Sequence, residues 1–183
     1  MSGVHPVSRV SPLPYAEWDT DARSALSVLA PGRRLPPNNV LGLLARHPEL
    51  AKAFLTFNKH LFDSTLPVRT RELAILRVAW RRRCRYEWAQ HLLIARKAGV
   101  TDAEIVGVWD DPSTLINRAA DELDADSRLS DRTYAELAAE LDDRQIMDLV
   151  FTVGAYALLA MAFNTFEVEL EPGVSDENFD IHD

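Results

Sequence analysis

Three side chains in the segment 84–91 could carry out proton chemistry together. Cys84, Glu87 and His91 are three and four residues apart, and residues three, four and seven apart share one face of a helix. A carboxylate beside an imidazole can orient the ring and hold its proton, so Glu87 and His91 form a candidate acid/base pair. The simpler alternative is a solvated surface pair, because most exposed helix ion pairs contribute little.

Cys84 is the only cysteine in the chain. An intramolecular disulfide is therefore impossible, and the chain needs no oxidising compartment. We expect a helix to begin near Cys84, and its N-terminal partial charge together with the neighbouring arginines would lower the thiol pKa and favour the thiolate. The alternative is a small buried hydrophobe, which is the commoner role of a lone cysteine.

Further candidates lie close to this group. Glu72 could assist from a preceding helix, and Arg77 could hold a substrate carboxylate. Tyr86 and Trp88 could contact a substrate, although packing is the commoner role of such aromatic side chains. Glu87 and His91, with Glu72 or His60 as a third ligand, would be needed for a metal site. No HExxH or CxxC motif is present, so we predict neither a metal nor a cofactor.

Helices must position these residues, because no segment shows strand alternation with turn signals. The apolar spacing, the breakers and the capping signals predict eight or so helices, from segments near residues 17–29, 40–46, 49–62, 67–80, 84–98, 101–109, 113–123, 131–140 and 143–164. Thr101 with Glu104 is a capping box, and Gly99 is a typical helix C-cap. We predict an all-α, multi-helical single domain over residues 15–172, an extended N-terminal arm over 1–14 and an acidic flexible tail over 173–183.

Composition limits the possible partners. The 183 residues carry a net charge of -8, which argues against a nucleic-acid partner because phosphate binding needs a basic surface. The most apolar stretch, 149–163, is 15 residues long, shorter than the roughly 18 to 20 that a membrane helix needs. We expect it to be a buried helix, in the core or at a subunit contact. The proline-containing N-terminus has no signal-peptide core, so we predict a cytoplasmic protein with no membrane partner.

The central part of the chain resembles the carboxymuconolactone decarboxylase / alkyl hydroperoxidase D-like superfamily. The resemblance rests on the segments 66–79, with the sequence LPVRTRELAILRVA, 84–91, with CRYEWAQH, and 98–105, with AGVTDAEI. Weaker similarity to the flanking helices of the family extends it over most of residues 10–172. It implies an AhpD-like helical bundle whose subunits associate as dimers, trimers or hexamers.

The resemblance leaves the chemistry open between two branches. The alkyl hydroperoxidase D-like branch uses a glutamate, a CxxC pair and a histidine as a thiol peroxidase, and Glu72, Cys84 and His91 match the glutamate, the first cysteine and the histidine. Glu87 stands in place of the second cysteine, so any sulfenic acid at Cys84 would need an external thiol or another subunit. The decarboxylase branch has a glutamate followed four residues later by a histidine, which Glu87 and His91 match.

Three functions follow as hypotheses. The first is an acid/base enzyme that decarboxylates or isomerises a small organic acid or lactone, with His91 moving the proton. The second is a peroxidase that uses Cys84, with Glu72 and His91 as a proton relay. The third is a non-catalytic oligomer that binds a small molecule, since a fold does not fix a function.

Overall fold

The computed structural model describes residues 8–29, 31 and 38–179. Within these residues the chain forms nine α-helices and no strand, which confirms the all-α prediction. The helices belong to two compact units, one built from the N-terminal residues through 63 with 163–173, and one from 64–162 with the C-terminal residues from 174. The predicted breaker-rich loop before the second helix, and the ends of the predicted arm and tail, lie partly outside the described residues.

The first unit contains three helices around a small core. They are α1 (Thr20–Leu26), α2 (Asn39–Leu44) and α3 (Pro48–Phe62). Asp19 and Asn38 cap α1 and α2 by accepting backbone N–H bonds of 2.8 and 2.7 Å, which satisfies donors that have no partner within the helix. The core is formed by Trp18, Ala22, Ala25, Leu26, Leu41, Ala45, Ala51 and Leu55.

The described end of the predicted arm, 8–14, packs against this first unit. Leu13 donates its N–H to the Gly42 carbonyl over 2.9 Å. A Cβ at Gly42 would lie 2.8 Å from the Pro12 Cβ and 2.9 Å from the Leu13 oxygen. The glycine is therefore required because the backbone of 12–13 passes directly over α2.

The second unit contains the other six helices and the candidate catalytic residues between positions 72 and 91. Its helices are α4 (Val68–Arg81), α5 (Arg85–Lys97), α6 (Asp102–Asp110), α7 (Leu115–Asp126), α8 (Asp131–Ala138) and α9 (Asp143–Phe166), of which α9 continues past the unit at 162. Helix α4 contacts α5, α6 and α7. The core lies between them and contains Leu76, Ala79, Trp88, Leu92, Ala95, Val100, Ile105, Val108 and Phe179.

Several of these helices begin or end at the residues that local sequence motifs indicate. The capping box of Thr101 and Glu104 is present, and Gly99 takes a positive φ of 82° at the end of α5. Asp142 and Gln145 cap α9 reciprocally, with hydrogen bonds of 2.9 and 3.0 Å. The two signals predicted above, at Thr101 and Gly99, are confirmed, because each depends on neighbouring residues alone.

Helix α9 is long and apolar enough to cross a membrane by composition, with a mean hydropathy of 1.9. However, 56% of its most apolar window is buried inside the protein. Burial of this extent is typical of a core helix in a water-soluble helical domain, where an apolar helix packs against its own chain.

The C-terminal segment differs from its prediction. Residues 174–179 belong to the second unit, and Phe179 is buried in its core against Trp88. The indole of Trp88 donates to the Glu177 carbonyl over 3.0 Å, and Arg85 pairs with Asp176. The tail is therefore docked through residue 179, since a single aromatic anchor and paired charges outweigh its acidic composition.

Candidate active site

Glu72 and His91 form a buried pair between α4 and α5. His91 Nδ1 lies 2.6 Å from Glu72 Oε2, and the two side chains are 8% and 0% exposed. The other Glu72 oxygen accepts a 3.0 Å bond from Arg71 Nε. A buried carboxylate shared by a guanidinium and an imidazole is satisfied on both oxygens, as a buried charge must be.

Tyr156 completes the surroundings of the imidazole. Its ring packs edge to face on His91, with centroids 4.8 Å apart and an interplanar angle of 89°. Tyr156 is itself buried and comes from α9. Because Glu72 holds one ring nitrogen and Tyr156 restrains the plane, the orientation of His91 is fixed from two directions.

Cys84 and Glu87 form a second buried pair at the start of α5. Cys84 is the N-cap residue of α5, and Glu87 lies in its first turn. Their residues are 0% and 2% exposed. Neither Glu87 carboxyl oxygen receives a hydrogen bond from an N–H or O–H group of the described residues, and the thiol of Cys84 is its polar neighbour.

Burial controls the protonation of this second pair. It raises the pKa of the Glu87 carboxyl well above the usual range, and the Cys84 thiol and Arg82 only partly offset that effect. Burial also raises the pKa of the Cys84 thiol, and the nearby Glu87 charge raises it further. The N–H groups of Tyr86 and Glu87 act in the opposite direction but are outweighed. The expected low thiol pKa is therefore wrong for this conformation, because desolvation exceeds the helix-end effect.

A tight backbone reversal links α4 to α5. Helix α4 ends at Arg81, and Arg83 takes a left-handed φ of 52°. The Cys84 N–H then donates a 2.8 Å hydrogen bond to the Ala79 carbonyl. This reversal matches a common helix C-terminal motif, with arginine at the position that glycine normally takes. The predicted break at 81–83 is thus present, and a backbone motif produces it.

The expected substrate-binding residues have other partners. Arg77 makes two hydrogen bonds to the Asp121 carboxylate, of 2.8 and 2.6 Å, and one to the Val108 carbonyl. Trp88 lies in the core beside Trp109, and Tyr86 is 6% exposed. Arg77 and Trp88 therefore stabilise the packing of the second unit, and our proposal gives neither a role in substrate binding.

The four arginines near the start of α5, at positions 81, 82, 83 and 85, also contact side chains of this chain, so we assign them no role in binding a substrate anion. Arg81 and Arg82 pair with Asp121 and Asp124, and Arg85 pairs with Asp176. Arg83 lies over the Trp80 ring, with its guanidinium carbon 6.0 Å from the centroid. Among the described side chains, no three of the His, Cys, Asp or Glu type cluster as metal ligands would.

Two residues of the site have no clear signal in the sequence. Arg71 directly precedes Glu72, and adjacent residues on a helix normally point apart, so spacing gives no reason to pair them. Tyr156 lies 65 residues from His91 in the chain, where the similarity to the superfamily is weaker. Only the three-dimensional packing brings both to the Glu72–His91 pair.

Comparison with known proteins supports the fold and the superfamily. Residues 48–112, which include Glu72, Cys84, Glu87 and His91, match the model of the Carboxymuconolactone decarboxylase family. A search of curated proteins found no match.

Two solved structures share the fold over almost the whole chain. One is an uncharacterized peroxidase-related protein from Silicibacter sp. TM1040, with a TM-score of 0.73 and 17% identity over 97% of this chain and 100% of that one. The other is an alkylhydroperoxidase AhpD core, an uncharacterized peroxidase-related protein from Ralstonia eutropha JMP134, with a TM-score of 0.73 and 20% identity over 92% of this chain and 95% of that one. At these identities the similarity establishes the fold.

Proposed function

We propose that the chain is a member of the carboxymuconolactone decarboxylase / alkyl hydroperoxidase D-like superfamily and an acid/base enzyme that decarboxylates or isomerises a small organic acid or lactone. The family match over residues 48–112 and the shared fold support the first part of the proposal. The observation that carries the proposal is the 2.6 Å contact between His91 Nδ1 and Glu72 inside the second unit. A histidine whose ring is fixed by a buried carboxylate is the usual form of a protein general base.

His91 exchanges the substrate proton in this mechanism. Glu72 holds the proton on Nδ1, so Nε2 is the nitrogen that takes a proton from a carbon next to a carbonyl group and returns it at a new position. Glu72 also stabilises the imidazolium that forms, and Arg71 keeps Glu72 in place. His91 is the least buried of the four candidate residues, at 6% exposure, and in this mechanism the substrate binds at its ring.

Glu87 supplies the acid. Its raised pKa favours the protonated carboxyl to a higher pH than in a solvated glutamate, and it lies one helical turn before His91 on α5. A neutral carboxyl can donate a hydrogen bond or a proton to the carbonyl oxygen as the enol or enolate forms. The two carboxyl groups thus take different roles because their surroundings differ. None of these steps uses a disulfide, in keeping with the cytoplasmic location expected from the sequence.

Peroxide reduction at Cys84 is the second candidate. The peroxidase-related names of the two solved structures and the position of Cys84 at the start of α5 favour it. The thiolate would attack one peroxide oxygen, giving a sulfenic acid and an alcohol, and an external thiol would have to restore it. The raised thiol pKa opposes the first step, and the single cysteine opposes the second.

Proton exchange in D₂O tests the proposed function. A panel of compounds is used because the proposal names a class of reaction and not a particular substrate. Purified protein would be incubated with a series of β-keto acids and unsaturated lactones, and deuterium at carbon and loss of CO₂ would be followed by NMR. We expect exchange or decarboxylation with at least one member of the panel. We expect His91→Gln to lower that rate by roughly 10² to 10⁴, the usual contribution of a general base.

His60→Gln is the matched control, since His60 is an exposed histidine on α3. It should leave the rate within twofold of the wild type. Equal rates for the wild type and His91→Gln would contradict the proposed role of His91. Failure of every compound in the panel, together with rapid oxidation of Cys84 by peroxide, would favour the second candidate.

A further inference from the structure

Residues 174–179, here called the C-terminal strap, are held against α5 by one buried side chain. Phe179 is 6% exposed, and its ring centroid lies 6.1 Å from that of Trp88. The Trp88 indole N–H also donates to the Glu177 carbonyl over 3.0 Å. The other strap residues are half-buried or exposed. Phe179 is therefore the main anchor of the strap, since burial of a phenylalanine ring is among the largest contributions that one side chain makes.

The charged contacts of the strap lie at the surface and hold it weakly. Asp176 pairs with Arg85, whose side chain is 59% exposed, and Glu177 lies 3.2 Å from Arg96. Exposed ion pairs contribute little to stability and are weakened by salt. These pairs align the acidic strap along α5, but they would not keep it docked without Phe179.

Gly173 directly precedes the strap and provides a point at which the strap can turn. Its φ is 84°, and a Cβ there would meet no atom within 4 Å. The glycine is therefore required by the backbone conformation and not by packing. The Phe179 N–H donates within the strap, to the Asp176 carbonyl over 3.0 Å. A segment with one buried side chain and few backbone contacts to its neighbours is of the kind that opens locally, without global unfolding.

The strap holds Trp88 over the first turn of α5. The Trp88 N–H donates to the Cys84 carbonyl over 3.1 Å, so the two residues lie one turn apart. Long side chains on a helix lean toward its N-terminus, and the indole therefore leans toward Cys84. Both residues are 0% exposed, although the Arg85 side chain beside Cys84 is largely exposed. Solvent thus reaches the start of α5, and the indole is placed to separate it from the thiol.

The Glu87 carboxyl in the same turn would gain from water. Glu87 is 2% exposed, and neither of its carboxyl oxygens receives a hydrogen bond from the described residues. A buried polar group without a donor costs its desolvation penalty in full. The docked form therefore carries a cost at Glu87 that hydration on opening would relieve.

We propose that the C-terminal strap is a releasable cover of α5, which keeps water and reactants from Cys84 and Glu87 while docked and admits them when Phe179 leaves its slot. The proposal does not depend on which reaction the protein catalyses. The docked strap favours the neutral thiol and carboxyl, because desolvation penalises the charged forms. Release favours the thiolate, which is the form that reacts with alkylating reagents and peroxides.

Alkylation of the single cysteine measures the cover directly. The full-length folded protein would be treated with iodoacetamide at alkaline pH and followed by intact mass. Phe179→Ala should speed the reaction roughly 10- to 100-fold, the shift in opening expected on loss of one buried phenylalanine. Phe179→Leu refills most of the slot and should speed it about fivefold. Tyr134→Ala on α8, an aromatic side chain at 48% exposure, is the matched control and should leave the rate unchanged.

Urea separates release of the strap from global unfolding. Release of a short segment exposes little surface, so the alkylation rate below the unfolding transition should rise only weakly with urea, whereas unfolding follows the full equilibrium slope. Equal rates in the wild type and Phe179→Leu would overturn the proposal even if Phe179→Ala does not fold. Acceleration that follows the global unfolding slope, equal acceleration in Tyr134→Ala, or a folded wild type that reacts as fast as the unfolded chain would each overturn it as well.

Discussion

The Glu72–His91 and Cys84–Glu87 pairs are buried to nearly the same extent, yet their carboxyl groups have different partners. Glu72 has a guanidinium on one oxygen and an imidazole on the other. No N–H or O–H group of the described residues donates to Glu87, and the Cys84 thiol and Arg82 only partly offset the burial that raises its pKa. The comparison shows that burial alone does not decide whether a carboxyl group is charged, because the groups placed beside it do.

Glu72 should be far more important to stability than Glu87. Replacing Glu72 by alanine leaves Arg71 and His91 buried without their carboxylate, which should lower the free energy of unfolding by about 3–5 kcal/mol. Glu87→Gln keeps the shape of a carboxyl group whose protonated form is favoured by burial, and it should change the free energy of unfolding by less than about 1 kcal/mol. Urea unfolding of both variants at neutral pH would measure the difference. Equal losses in the two variants would mean that the pairs do not differ as described.

The raised pKa of Glu87 should make the stability of the protein depend on pH. The folded protein keeps the proton on Glu87 above pH 4.5, where the unfolded chain loses it. Within this window the folded state binds more protons, so the contribution of Glu87 to stability falls as pH rises, by up to about 1.4 kcal/mol per pH unit. Glu87→Gln removes this pH-dependent contribution. The free energy of unfolding of the wild type should therefore fall relative to that of the Glu87→Gln variant as pH rises. A difference between the two that does not vary from about pH 5 to pH 8 would contradict the raised pKa.

The reactivity of Cys84 should respond to Glu87. In the folded wild type the thiol should alkylate slowly and with a pH midpoint above the ordinary value of 9.0. Burial is the main cause of the raised thiol pKa, and the charge of Glu87 is the second. Glu87→Gln should therefore speed alkylation at alkaline pH by about tenfold at most, which corresponds to a change of one unit in the thiol pKa. Iodoacetamide rates for both proteins, with urea-unfolded wild type as reference, would test this. A folded wild type that reacts as fast as the unfolded chain would show an exposed thiolate.

Local chemistry explains which parts of the fold the sequence predicts. The capping box at Thr101, the Gly99 C-cap and the helix carrying Glu87 and His91 depend on neighbouring residues, and all are confirmed. The docking of Phe179 could not be predicted, because it depends on a slot beside Trp88 that only the folded core provides.

The sequence names the candidate side chains, but it does not give their pairing or their protonation. Spacing groups Cys84, Glu87 and His91 on one helix, and the family resemblance adds Glu72. The split into two pairs follows from burial and from the position of Arg71, which sequence spacing does not reveal. The direction of the Cys84 pKa likewise depends on how much water reaches the N-cap of α5, a tertiary property.

The most direct test of the account compares His91→Ala with Cys84→Ala on a substrate identified by the D₂O screen. If the Glu72–His91 pair carries out the reaction, His91→Ala should lower kcat/KM by roughly 10² to 10⁴, and Cys84→Ala should stay within a few-fold of the wild type. Loss of turnover in Cys84→Ala with turnover retained in His91→Ala would show that the thiol, and not the imidazole, performs the chemistry.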